Sequence, residues 1–333
     1  MKRIILLYSF FAFCLLMVKA NPVSRTQALQ EAKAFLATKG IDMQTVSEAY
    51  KAPRKAGAKE KNPYYYIYNV GEDRGFVIVS GDDRTEKILG YVDSGSFDEE
   101  NAPAPLKEWL RAYEREIESF SSVQLPSTTT KKKVMEKTKK SIAPMTSTKW
   151  ASRYPFKTST PIVDGKNLPI GCAPVCLAQF LYYYKDFIPS ITNTIPSYVS
   201  NGVTLDAVPS GTMIDWDNML EDYGYNSNYT DAQKKAVADL MLYTAKATST
   251  RFYTDVALTP TSQYNSALIN YFGFDESIAY IDREYYNVED WENVIYNEIA
   301  HLRPVIYNGF SSSAGHSYLI DGYDVNGLFH VNW

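Results

Sequence analysis

The run Pro169-Ile170-Gly171-Cys172-Ala173-Pro174-Val175-Cys176-Leu177-Ala178-Gln179 carries both the fold and the chemistry of this chain in outline. From residue 173 onward it is apolar and suited to a helix. Pro174 falls in the first turn, where its missing N–H costs nothing, so the pattern predicts a helix over 173–187. Cys172 follows a glycine and opens that helix. A thiol there faces the positive pole of the helix dipole and unpaired N–H groups, which favour a thiolate and can hold an oxyanion. Cys176 lies one turn further in, between Val175 and Leu177, and reads as a small buried hydrophobe. The bland alternative makes both cysteines core residues.

A disulfide between the two is disfavoured. Closing a four-residue loop gains little entropy, and positions i and i+4 of a helix do not aim their Cβ atoms for an unstrained bond. Nucleophilic chemistry at Cys172 would need a base and a group to orient it. The chain has three His among its 333 residues. His301 ends a helical stretch, where a cationic ring is comfortable without catalysis. His330 lies inside the last strand-like run. His316 follows Gly315 where a small-residue loop becomes a strand, and Gly315 leaves room for a substrate backbone. Folding the last two strands about residues 322–327 brings His316 near Asn332, to within a residue or two of register. Cys, His and Asn then occur in the chain order of papain-like proteases.

Further out, Ser24 and Gln27 form a capping box that opens an amphipathic helix over 24–40. Residues 64–70 and 76–79 read as a hairpin across Gly71-Glu72-Asp73-Arg74-Gly75. A second amphipathic helix covers 105–120. These make a small α+β unit of residues 21–120. Residues 121–140 form a linker with six lysines among the last ten positions, which suits a solvated spacer that proteases can reach. Residues 141–333 make the second domain, with a helix near 231–247 and strands near 304–308, 317–320 and 328–333.

The first twenty residues read as a cleaved secretory leader: Lys2 and Arg3, an apolar run over 4–18 that includes Cys14, then Val18-Lys19-Ala20. The expected location is therefore outside the cell. No later stretch reaches the roughly 18 apolar residues of a membrane span. A net charge of −4 advertises no nucleic-acid partner. No cofactor and no metal is expected.

Four stretches together resemble the streptopain family of secreted cysteine peptidases, a zymogen-forming branch of the papain superfamily. The first is Gly75-Phe76-Val77-Ile78-Val79-Ser80-Gly81-Asp82, continuing to Ile88-Leu89-Gly90-Tyr91 and Ser94-Gly95-Ser96-Phe97-Asp98. The others are Gly171-Cys172 with Ala178-Gln179, then Gly315-His316-Ser317-Tyr318-Leu319-Ile320-Asp321-Gly322, and finally Phe329-His330-Val331-Asn332-Trp333. The resemblance implies an α+β fold: a papain-like catalytic domain of a helical part plus an antiparallel sheet, behind a small α+β prodomain. It implies that Cys172 is the nucleophile, His316 the base and later acid, and Asn332 the orienting group, with Trp333 packed over the His–Asn pair. Gly315, Asn308 and Leu258 would border the substrate, a protein or peptide, and residues 21–120 would inhibit the enzyme from within the same chain. Asn308 stands where the family commonly has Gln. Residues 251–260 replace a Gly/Ser-rich loop at the cleft. Family members continue past the position of Trp333, so either a fragment or an incomplete catalytic sheet is expected. The other reading of the same features is an inactive, peptidase-like binding or adhesion protein.

Overall fold

The structure, a computed structural model, describes residues 22–41, 45–54, 62–122, 139–224, 228–310 and 315–333. The leader expected over residues 1–20, and residues 123–138 of the lysine-rich linker, lie outside the described residues. The chain divides into two compact units, Met1–Met135 and Glu136–Trp333.

In the first unit Ser24 caps α1 (Arg25–Thr38) through the full reciprocal box with Gln27. Four antiparallel strands follow in chain order: β1 (Val46–Lys51), β2 (Tyr65–Val70), β3 (Phe76–Ser80) and β4 (Ile88–Val92). The central pair is buried almost residue for residue, because both faces are covered. Tyr65, Ile67, Phe76 and Ile78 join a core with Leu110 and Ile117 of α2 (Ala104–Ser122). On the other face the Tyr66 and Tyr68 hydroxyls donate to the carbonyls of Val23 and Arg25 at the start of α1.

The second unit opens with a small hairpin, β5 (Ile162–Val163) and β6 (Lys166–Asn167), and is built around α3 (Cys172–Tyr183), which is buried from Ala173 to Tyr182. The helix is shorter than its apolar pattern predicts. Tyr184 turns its N–H to the carbonyls of Leu181 and Tyr182, and the chain continues as a 3₁₀ turn over Lys185–Phe187. A hairpin of β7 (Tyr198–Ser200) and β8 (Val203–Leu205) precedes α4 (Asp231–Ala247), whose Leu240 and Met241 enter the α3 core with Phe252 and Leu268. After it come the short hairpin β9 (Arg251–Phe252) and β10 (Ala257–Leu258), then α5 (Tyr264–Phe272) and α6 (Val288–Ala300). The unit closes with an antiparallel sheet of β11 (Val305–Phe310), β12 (Gly315–Tyr323) and β13 (Phe329–Asn332), against which α3 packs through β12.

The segment 139–148 is bonded to this sheet beyond the end of β11. Ile142 N–H donates to the Tyr323 carbonyl at 2.7 Å and accepts the return bond at 2.9 Å, and Met145 N–H donates to the Asp321 carbonyl at 3.1 Å. These bonds draw Gly322 and Tyr323 into β12, where the sequence predicts turn. A Cβ on Gly322 would stand 3.1 Å from the Ile142 carbonyl oxygen, so glycine permits the approach.

Candidate active site

Gly171 has φ +83°, and a Cβ there would meet Ala257 at 3.2 Å. Glycine is thus demanded twice, by the backbone turn and by the β9–β10 hairpin lying against it. The turn sets Cys172 at the first position of α3, half-buried and free. Cys176 is also free and fully buried, and burial, with a smaller effect from Cys172, pushes its thiol well up. Leu258, beside Ala257 on the same hairpin, is 52% exposed.

His316 is the second residue of β12, opposite Gly309. Its ring lies 4.3 Å from that of Trp333, and Trp333 stacks on Tyr318 at 5.2 Å. The Nε2 atom is buried without a hydrogen-bond partner, and burial lowers the imidazole to about 4. Gly315 is flanked by Phe310, whose ring would stand 2.9 Å from a Cβ on the glycine. Asn332 pairs with Leu319 rather than opposite His316, because the two strands meet at Tyr323 and Phe329; the bulge between Ile320 and Gly322 shifts the register by one residue. Its amide nitrogen donates to Thr146 Oγ1 and to the Thr148 carbonyl, both at 2.9 Å. The structure therefore brings Trp333 onto the His316 ring and ties the Asn332 nitrogen to the 139–148 segment.

Asn308 faces inward. Its side-chain oxygen accepts from Ser317 Oγ at 2.6 Å, and since that hydroxyl has one proton, Tyr264 must donate its own to Ser317 at 2.9 Å. Burial raises the Tyr264 phenol, and the nearby thiols of Cys176 and Cys172 add to the rise. Tyr264 thus lies between the cysteine helix and the strand of His316, a position no local pattern announces. Asp321 lies within β12, one residue past the strand that the sequence predicts over 317–320. It is fully buried and bonded to Thr146 and His330. Among the described residues no group of three or more His, Cys, Asp or Glu is placed to hold a metal ion.

Comparison with known families matches residues 150–333 to the Peptidase C10 family. The chain belongs to that family. Residues 20–117 match the Spi protease inhibitor family, which sets an inhibitor-like domain before the C10 domain. Streptopain of Streptococcus pyogenes is 27% identical over 345 residues, covering 95% of this chain and 85% of that protein. The thiol protease/hemagglutinin PrtT of Porphyromonas gingivalis is 29% identical over 367 residues; this C10 chain spans only 40% of its length. Among solved structures, a prointerpain A fragment of Prevotella intermedia superposes with a TM-score of 0.68 at 26% identity, covering 86% of this chain and 88% of that one. The active wild-type interpain A cysteine protease gives 0.52 at 29% identity, covering 58% and 81%. The fold is the expected α+β architecture, helices with antiparallel sheets behind an inhibitor-like domain. No described helix is long and apolar enough to cross a membrane.

Proposed function

We propose that the chain is an exported cysteine endopeptidase made as a zymogen, with Cys172 as nucleophile, His316 as base and acid, and residues 21–120 as its inhibitor. The observation that carries this reading is Cys172 at the N-terminal position of a buried helix that packs on the strand bearing His316. The Cys172 sulfur attacks the peptide carbonyl carbon, forming a C–S bond as the carbonyl electrons move to oxygen, where N–H groups at the start of α3 receive the charge. Collapse breaks the C–N bond, and His316 delivers to the leaving nitrogen the proton it took from the thiol. Water then attacks the thioester with His316 as base, releasing the acid and restoring the thiol. Asn332 orients the ring, Trp333 shields it, and Gly315 and the exposed Leu258 border the substrate. Asn308, bonded to Ser317, shapes the cleft from behind.

An epoxide inhibitor of cysteine peptidases tests the assignment by mass spectrometry. One adduct should form, vanish in Cys172→Ala together with peptide hydrolysis, and persist in Cys176→Ala. An adduct and turnover surviving in Cys172→Ala would place the nucleophile elsewhere.

A further inference from the structure

We propose that Tyr307 and Trp291 are positioning residues for the base, the far end of an aromatic stack that fixes the plane of the His316 ring. The proposal rests on the role given above to His316 and deepens it.

Strand alternation sorts the side chains of β12 onto two faces. Ser317 and Leu319 turn to the cysteine helix: Leu319 enters the α3 core, and Ser317 bonds Tyr264. His316 and Tyr318 take the opposite face, with their rings 5.9 Å apart. Tyr307 of β11 is directly across from Tyr318, and the two rings stack at 5.4 Å and 24°. Trp333 stacks on Tyr318 at 21° and carries the contact to His316. Beyond Tyr307, Trp291 of α6 meets its ring at 5.9 Å and 68°. The indole N–H can only donate, and it donates to the Tyr307 hydroxyl at 3.2 Å. Asn287 caps α6 by accepting from the Asp290 N–H, so Trp291 stands in an anchored first turn. His316 Nε2 has no hydrogen-bond partner, so at that nitrogen nothing polar sets the tilt of the ring. Ring-on-ring contact sets it instead. Offset and edge-to-face pairs have preferred distances and angles, and each ring in the series constrains the next. Tyr307 and Trp291 act on the base through Tyr318 and Trp333.

The test is made on the full chain after activation, with rates normalised to epoxide-titrated sites. Tyr307→Leu takes a ring out of the middle of the series, so kcat should fall about tenfold while KM stays within about twofold. Tyr307→Phe keeps the ring and should restore most of the rate. The ring-current shift of the His316 Cε1 proton, measured by NMR, gives a second readout. Its resonance is the one of three imidazole signals that His316→Gln removes. It should move toward the free-histidine position in Tyr307→Leu and stay near the native one in Tyr307→Phe. A Tyr307→Leu enzyme with native kcat, or a slow one whose His316 signal has not moved, would overturn the proposal. So would a Tyr307→Phe enzyme as slow as Tyr307→Leu. Native turnover in His316→Gln would instead remove the base itself, a separate failure that takes the proposal with it. Should Tyr307→Leu fail to fold, Trp291→Leu and its Trp291→Phe rescue replace it, with the same readouts and outcomes.

Discussion

His316 couples the chemistry to acidity. Its half-buried ring lies against Trp333 with Nε2 buried and without a partner, and burial lowers the imidazole from 6.5 to about 4. Between those values the unfolded chain holds a proton on this residue and the folded chain does not. The unfolded state is then the better proton binder, so stability falls as pH is lowered from about 6.5 to about 4, and below that the effect is complete. The thermal midpoint of the full chain should decline across this window, and His316→Gln should flatten part of the slope. An identical slope in the variant would show that other groups govern the acid response. Cys172 and His316 could be read from short motifs because each needs a glycine beside it and a particular element behind it. Thr146 could not. Its hydroxyl bonds a partner 175 positions away in the chain, Asp321, and nothing around Thr146 in the sequence points there.

At the scale of elements, the turn before α3 is the most sensitive joint. Gly171→Ala would force a side chain onto φ +83° and press it against the Ala257 oxygen and Cβ at 3.2 Å. It should cost about 2 kcal/mol of stability and slow epoxide labelling of Cys172. Native stability and labelling in this variant would mean that the β9–β10 hairpin yields freely. Elements with strong end signals were legible. Thr230 caps α4 through a reciprocal box with Gln233, as Ser24 does for α1. By contrast α5 begins from Gln263 without a side-chain cap, out of a 3₁₀ turn, and its start is silent in the sequence. The edge strand β1, Val-Ser-Glu-Ala-Tyr-Lys, buries no residue fully and is visible only through its pairing with β2. The register of the last two strands shifts for a tertiary reason, the bulge that seats Asp321. That bulge moves the partner of Asn332 from Ile320 to Leu319, which still leaves it three residues short of His316.

For the whole molecule, the proposed latency makes the order of cutting matter. Cleavage within residues 121–140 should release peptidase activity in step with loss of the precursor band, and replacing the six lysines of 131–140 by Gln should delay trypsin-like activation. Full activity in the uncut chain would dispose of the inhibitor assignment. Where trimming then stops follows from the segment that β12 holds. Lys139 lies over the rings of Tyr296 and Tyr323, Lys140 bonds the Tyr296 hydroxyl, and Ile142 exchanges two backbone bonds with Tyr323. An aminopeptidase works on slack chain and must peel each residue free before it cuts. Moving inward from any ragged first nick, it would lose its grip on reaching this docked stretch. Several different initial cuts would thus converge on one mature end, set by the sheet and not by the specificity of whichever protease arrived first.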